Sequence, residues 1–104
     1  MPSEISLDRA LHAIADPTRR RILRTLRDGA SDTKPAGLKT SPGPCLCGGD
    51  IEQRIHLSQP TISHHMAILT RAGLVEASKK GQWRWYRRNE KALRQVVKLL
   101  RGKL

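Results

Sequence analysis

The feature that most constrains this chain is a pair of short amphipathic helices joined by a tight turn. The first helix is predicted over about 51–56, with Asp50 as its cap, and the second over about 59–72. In the second helix, apolar residues recur at spacings of four and three, which places Ile62, Met66 and Leu69 on one inward-facing stripe. The segment therefore predicts a helix-turn-helix.

Two strands are predicted directly after this pair, over about 74–78 and 82–88, with Lys79-Lys80-Gly81 as the turn between them. Alternation puts Trp83 and Trp85 on one face of the second strand, and we expect their rings to seal the hairpin against the helices. The expected fold is mainly α with a small β-hairpin, a winged helix-turn-helix of five helices plus the wing.

The rest of the chain supplies three more helices and one irregular segment. The helices are predicted from their caps and apolar spacing, with Ser6 before about 7–15, Asp16 before about 17–27, and Asn89 before a helix to about Leu100. Residues 28–49 hold five of the eight glycines and three of the six prolines, which predicts a flexible inserted loop. We expect a single domain over 1–104 that carries this loop.

The charge balance favours a polyanionic partner. The formal net charge is +11, from 20 Lys and Arg against 9 Asp and Glu, so nucleic acid is the common partner and an anionic membrane surface the rival. No apolar run approaches the roughly 20 residues that span a bilayer. The first ten residues lack the basic and apolar stretches of a signal peptide. We therefore expect a cytoplasmic protein with no membrane partner.

The start of the longer helix carries short polar side chains of the kind that read base edges in a major groove. The candidate DNA contacts are Gln59, Thr61, Ser63 and His64 on this helix, and Lys79, Lys80, Arg84 and Arg87 on the hairpin. Basic side chains on a hairpin can reach phosphates or a minor groove. Two alternatives stay open: His64 and His65 as ordinary surface residues, and interleaved Trp and Arg as a stacking surface for a single strand.

Cys45-Leu46-Cys47 is the one other segment with distinctive chemistry. Pro44 and Gly48-Gly49 flank it and favour an extended conformation, in which residues two apart point the same way. Two thiolates so placed can bind a soft ion such as Zn(II), Cd(II) or As(III). A redox switch through the same two residues and an unliganded pair are the alternatives.

The stretch from Ala15 to about Leu93 resembles the ArsR/SmtB family of metal-responsive repressors. The segments that carry the resemblance are ADPTRRRIL, CLC ahead of DI, LSQPTISHHMAILTRAGLV, and the wing from Gly81 to Tyr86. The resemblance implies a homodimer joined through the first and last helices. It also implies binding to a palindromic double-stranded operator and an inducer that releases the DNA.

The sequence departs from the family pattern around the thiols. Gly48-Gly49 separates Cys47 from Asp50, and we expect it to act as a hinge that absorbs part of any pull. The third Cys of arsenic-sensing members would fall near Glu52, and the last helix lacks the acid and His pairs of zinc-sensing members. Two thiolates still suffice for an organoarsenical, or for a metal completed by His12, His56, water or the other subunit.

The expected function is repression of transcription, relieved by a thiophilic inducer: As(III), an organoarsenical or a soft divalent metal. No ion is required for the fold. A redox-switched or non-metal-sensing repressor is the first alternative, and an unregulated basic nucleic-acid protein is another. An enzyme is not expected. A small thiol-disulfide reductase would need a βαβ scaffold and usually Cys-x-x-Cys, and neither occurs in the sequence.

Overall fold

The computed structural model describes residues 5–28 and 45–104. Within these ranges it has five helices and a three-stranded sheet, in the order α1 (Leu7–Ile14), α2 (Pro17–Asp28), β1 (Cys45–Cys47), α3 (Gly48–Ile55), α4 (Gln59–Arg71), β2 (Val75–Lys80), β3 (Trp83–Arg88) and α5 (Glu90–Lys103). This architecture confirms the predicted winged helix-turn-helix.

Three helices begin where side-chain caps were predicted. The Ser6 hydroxyl, the Asp16 carboxylate and the Asn89 amide oxygen each accept a hydrogen bond from the backbone N–H three residues on, at 3.3, 3.0 and 3.1 Å. The backbone bond lowers the pKa of Asp16, because it favours the ionised carboxylate. These local bonds fix where α1, α2 and α5 start.

The sheet contains a strand that the sequence did not predict. Its order is β1-β3-β2 and both pairings are antiparallel, with Leu46 opposite Tyr86 and Tyr86 opposite Ala77. The wing is therefore not a free hairpin. Its second strand is held on both sides, so β1 ties the thiol segment to the wing.

The predicted loop over 28–49 needs correction at both ends. Asp28 belongs to α2, Cys45–Cys47 forms β1, and Gly48-Gly49 forms the first turn of α3. A hinge at the two glycines is accordingly not observed, because α3 follows β1 without a gap. The rest of the predicted loop, residues 29–44, lies outside the described residues.

The core is aliphatic and is closed by one aromatic ring. Its largest fully buried side chains are Ile22, Leu26, Leu46, Ile51, Met66, Leu69, Leu74 and Val75. The predicted stripe of α4 is buried as expected. The predicted role of the tryptophans is wrong, because Tyr86 is the ring of β3 that packs into the core and Trp83 is 54% exposed.

The wing has a tight turn at one end and a backbone hydrogen bond that leads into α5 at the other. Its turn is Gly81-Gln82 and not the predicted Lys79-Lys80-Gly81, because Lys79 and Lys80 belong to β2. Gly81 has a φ of +61° that favours glycine. At the base, the Asn89 N–H donates to the Leu74 carbonyl at 2.9 Å, which leads β3 into α5.

No helix in the described ranges is long and apolar enough to cross a membrane.

Candidate nucleic-acid interface

The start of α4 presents the polar side chains predicted to read DNA. Pro60 lies in its first turn, and Ser58 precedes it in an extended conformation, as expected for the residue before a helix that opens in this way. Gln59, Thr61, Ser63 and His64 are all exposed. The Thr61 hydroxyl lies 3.0 Å from the Ser58 hydroxyl. The four side chains are accessible at one end of the helix, and their DNA contacts remain predictions.

The wing places cations beside that end of α4. Lys79 pairs in register with Arg84, next to the turn, and both side chains are exposed. Lys80 pairs with Trp83 through the backbone, while its side chain lies outside the described part. Within the wing, the exposed cations therefore lie beside the turn.

A cleft of about 580 Å³ separates α4 from the wing. Gln59 and Ser63 line it from the helix, and Lys79, Trp83 and Arg84 line it from the wing. The structure thus brings together four of the predicted DNA contacts and adds Trp83, which sequence reasoning had assigned to the core. Trp83 lies next to Arg84 and to the turn, opposite Lys80, and this position is the signal that could have placed it at the surface.

Glu52 also lines this cleft, from α3. Its carboxylate is the acidic member of an otherwise neutral or basic lining in the described residues. A phosphate entering the cleft would be repelled by Glu52 and attracted by the wing cations. This arrangement favours phosphate contacts on the wing side of the cleft over contacts on the α3 side.

Arg87 is the predicted DNA contact that the structure corrects. Arg87 is 6% exposed, and its guanidinium forms an ion pair with the carboxylate of Glu76, which lies directly opposite on β2. Alternation along β3 does not explain this difference from Arg84, since it places Arg84 on the face of the core residue Tyr86. Arg84 is exposed because it lies next to the turn, whereas Arg87 lies at the base of the wing opposite Glu76. Arg87 therefore belongs to the interior and is not available to a phosphate.

A second buried arginine holds α1 and α4 against α2. Arg19 is 7% exposed and donates from Nε to the Ala13 carbonyl at 2.7 Å and from Nη2 to the His12 carbonyl at 3.1 Å. Its Nη1 lies 3.2 Å from Nδ1 of His65. Burial lowers the pKa of His65, the Asp16 carboxylate opposes that shift, and the charge of Arg19 adds to it. The Nδ1 atom therefore accepts from Arg19 in the neutral ring.

Two further arginines of α2 bind the ends of neighbouring helices. Arg20 donates to the Ile14 carbonyl at 2.7 Å. Arg21 donates to the carbonyls of Ile55 and Arg54, both at 3.4 Å. These carbonyls are at helix C-termini, which lack intrahelical partners and carry partial negative charge. The sequence did not predict this role for the two arginines.

The thiol segment contacts both α3 and the wing. The Asp50 carboxylate accepts from the Cys47 N–H at 3.4 Å and from the Cys47 Sγ at 3.2 Å, so the start of α3 is bonded to the last residue of β1. Across the sheet, Cys45 pairs with Arg87 and Cys47 with Trp85. Cys47 is half-buried, and the Cys45 side chain lies outside the described part.

The possible additional ligands do not gather at these thiols in the part of the chain that the structure describes. His12 lies exposed on α1, and His56 lies exposed after α3, where its φ of 64° is left-handed. No group of three or more His, Cys, Asp or Glu residues that could hold a metal occurs among the described residues. A metal site at Cys45 and Cys47 therefore remains a prediction.

Comparison with known proteins agrees with this geometry. A family model described as a helix-turn-helix domain matches residues 14–77. The chain is 35% identical over 88 residues to an uncharacterized HTH-type transcriptional regulator of Methanocaldococcus jannaschii, covering 85% of this chain and 83% of that one. It is 32% identical over 91 residues to the transcriptional repressor SdpR of Bacillus subtilis, covering 88% and 84%.

A solved structure gives the same result in three dimensions. The crystal structure of a possible transcriptional regulator for arsenical resistance superposes with a TM-score of 0.70 at 29% identity, covering 93% of this chain and 84% of that one. The fold and the exposed end of α4 define a DNA-binding transcriptional regulator and not an enzyme. The chain belongs to the ArsR/SmtB family of such regulators.

Proposed function

We propose that this regulator is a homodimeric repressor that releases its operator when Cys45 and Cys47 bind a thiophilic inducer. The inducer would be As(III), an organoarsenical, or a soft divalent ion such as Cd(II) or Zn(II). The observation that carries the proposal is the position of β1. This strand is bonded to α3 through Asp50 and to the wing through β3, so a ligand on the thiols has two direct connections to the DNA-reading end.

Repression rests on the accessible end of α4 and the wing tip. Gln59 and Ser63 would read base edges, because amide and hydroxyl groups match the donors and acceptors of a major groove. Lys79 and Arg84 would bind phosphates on either side. One relative of similar length is itself a transcriptional repressor, which supports repression over activation for this chain.

Dimer formation is supported by apolar surface on two helices. α1 packs on α5, and Leu11 and Val97 remain 37% and 58% exposed. A second copy would cover both side chains, and burial of apolar surface is the main favourable term in protein association. Light scattering would then give about twice the chain mass of 11.7 kDa at micromolar concentration. A single-chain mass would contradict the dimer.

Coordination of the inducer by sulfur would act by breaking the hydrogen bond between the Cys47 thiol and the Asp50 carboxylate. In the free protein the Cys47 thiol donates to the Asp50 carboxylate. When sulfur binds the inducer, the thiol proton leaves to solvent and this hydrogen bond is lost. The start of α3 then loses a contact while β1 is pulled toward the ligand. Because α3 packs on α4 and β1 pairs with β3, both DNA-reading elements would shift.

The residues present fit a ligand that accepts two thiolates. Residues two apart in a strand share a face, so both thiolates would bind one atom. An organoarsenical with two open positions is satisfied by this pair. A metal ion would take its remaining ligands from His12, His56, water or the other subunit. The name of a relative in the structural comparison, a possible regulator for arsenical resistance, supports a thiophilic inducer.

The test measures the release of operator DNA from the protein. The operator is first selected in vitro for binding to the wild-type protein. Arsenite, phenylarsine oxide, Cd(II), Zn(II) and peroxide are titrated separately into the complex. We expect the double variant Cys45→Ser with Cys47→Ser to bind the operator as tightly as wild type and to ignore every thiophilic reagent. The matched control is His12→Ala with His56→Ala, which keeps release by an organoarsenical.

Three outcomes would contradict the proposal. If the double cysteine variant still releases DNA with the wild type's inducer, the sensing site lies elsewhere. If peroxide alone releases the wild type, the thiols form a redox switch. If none of the five reagents releases the wild type, the inducer is not thiophilic.

A further inference from the structure

A second cleft, of about 380 Å³, lies at the end of α4 that is opposite the wing tip. Three elements line it: the beginning of α1, the end of α4 and the beginning of α5. Each element contributes one cation, respectively Arg9, Arg71 and Lys91, and all three residues are exposed. The cleft is therefore a place where separate parts of the fold bring positive charge together.

No carboxylate compensates this charge among the described residues. The lining contains no Asp or Glu, and none of the ion pairs of the described part involves Arg9, Arg71 or Lys91. Asp8, the nearest acid along α1, lines a neighbouring depression that it shares with Arg9 and Arg71, and it makes no ion pair with either. Three like charges around one concavity repel one another, so a bound anion would relieve that repulsion.

Neutral polar groups and helix dipoles add to the same preference. Ser6 and Asn89, which cap α1 and α5, both line the cleft, and Gln95 lines it as well. The positive ends of the α1 and α5 dipoles are therefore adjacent to the three cations, and they oppose the partial negative charge at the C-terminus of α4. Hydroxyl and amide groups can donate to oxygen atoms of a ligand without adding charge.

We propose that this cleft binds a small phosphate-bearing ligand. Its volume lies within the range of roughly 300–1,000 Å³ that is usual for small-molecule sites. Arginine presents a fork of donors that matches phosphate oxygens, and two of the three cations are arginines. The cations surround a concavity and do not follow a ridge, which fits a compact ligand better than a second DNA duplex.

The site is distinct from the DNA-reading end and from the thiols. Arg71 ends α4 and Gln59 begins it, so about 20 Å of helix separates the cleft from the cleft beside the wing. A ligand here would connect α4 directly to α1 and α5. Binding at this site does not depend on the proposed thiophilic inducer, and either proposal can fail without the other.

The probe is inorganic pyrophosphate, titrated calorimetrically into the DNA-free protein at low ionic strength. The test variant is Arg9→Gln with Arg71→Gln, and the matched control is Arg24→Gln with Arg54→Gln, two exposed arginines that line neither this cleft nor the cleft beside the wing. Both variants remove two charges from exposed side chains. Because hydrogen bonds to charged groups are among the stronger ones, we expect the test variant to lose at least about tenfold in affinity. The control should stay within about twofold of wild type.

Amide chemical shifts locate the bound probe and do not depend on the variants. In the wild type, pyrophosphate should move the amides of Ala72, Gly73 and Lys91 and leave those of the wing turn unchanged. Citrate, titrated in parallel, separates a phosphate site from a general anion site. Equal losses in the two variants, shifts spread over the wing, equal binding of citrate, or no binding to the wild type would each overturn the proposal.

Discussion

Helix α2 and the wing are both rich in cations, yet they use their charge in opposite ways. Arg19, Arg20 and Arg21 donate to backbone carbonyls at the ends of α1 and α3. Lys79 and Arg84 are exposed and make no hydrogen bond or ion pair with the described part of the chain. The net charge of +11 is therefore larger than the positive charge that is available to DNA. Part of it stabilises helix C-termini inside the fold.

The same division occurs within strand β3. Arg84, near the turn, is exposed, whereas Arg87, near the base, is buried beside Glu76. The two arginines are three residues apart and lie on opposite faces, but the exposure of Arg84 comes from its place next to the turn. Position in the fold, and not residue type, decides which arginine can meet a phosphate.

The largest effect that tests this comparison is on stability. Arg19→Ala removes the donors to the Ala13 and His12 carbonyls. The His12 carbonyl keeps the Ala15 N–H at 3.4 Å, whereas the buried Ala13 carbonyl loses its side-chain donor, which costs about 1–3 kcal/mol. We expect the free energy of unfolding to fall by about 2 kcal/mol in urea titrations. Arg84→Ala, the control, should change it by less than about 0.5 kcal/mol. An Arg19→Ala variant as stable as the control would break the comparison.

Next in size is the effect of Gln59→Ala on operator binding. Losing a base contact should cost about 1–3 kcal/mol and relax the preference at one operator position. Binding to the operator and to single-base variants of it measures both quantities. Stability should be unchanged, because Gln59 is exposed. A uniform loss across all DNA sequences would place Gln59 on a phosphate instead.

Arg84→Ala should have a smaller effect of a different kind. We expect it to weaken binding to all DNA sequences alike and to reduce the slope of log affinity against log salt by about 1 per bound chain. Arg87→Ala is the matched comparison, and it should lower stability while leaving the slope of the folded protein unchanged. If Arg87→Ala changes the slope and Arg84→Ala does not, the division within β3 is wrong.

The smallest effect concerns pH. The pKa of His65 is lowered in the folded protein, chiefly by burial, from its usual value of 6.5. The contribution of neutral His65 to stability is therefore present above pH 6.5 and is lost as the pH falls through the lowered pKa. His65→Gln should flatten the unfolding free energy below pH 6.5. An unchanged pH profile would remove His65 from the internal network of Arg19.

Local signals in the sequence were sufficient for four of the five helices: α1, α2, α4 and α5. Ser6, Asp16 and Asn89 cap helices as predicted, because a cap depends on a backbone group only three residues away. The stripe of α4 is also a local pattern, since its spacing follows from helix geometry. These features place the predicted DNA contacts of α4 at the surface.

Features that depend on distant partners could not be predicted in this way. β1 has three residues and exists through its pairing with β3, about forty residues later. Gly48-Gly49 has low helix propensity, yet it starts α3 next to the bond between Cys47 and Asp50. Alternation predicted which residues of β3 share a face, but it did not predict which face packs against the core. Tyr86 is buried and Trp83 is exposed because of how the strand packs on the helices.

The positions of the two tryptophans provide two separate fluorescence signals, one for each end of the wing. Trp83 is exposed in the cleft beside Gln59, while Trp85 is half-buried and directly opposite Cys47 in the sheet. They are the chain's only tryptophans. With Trp85→Phe the remaining emission reports on the DNA-reading end, and with Trp83→Phe it reports on the neighbourhood of the thiols. Occupancy by DNA and occupancy by a heavy-atom inducer, which quenches nearby indole emission, can thus be followed separately without an added dye.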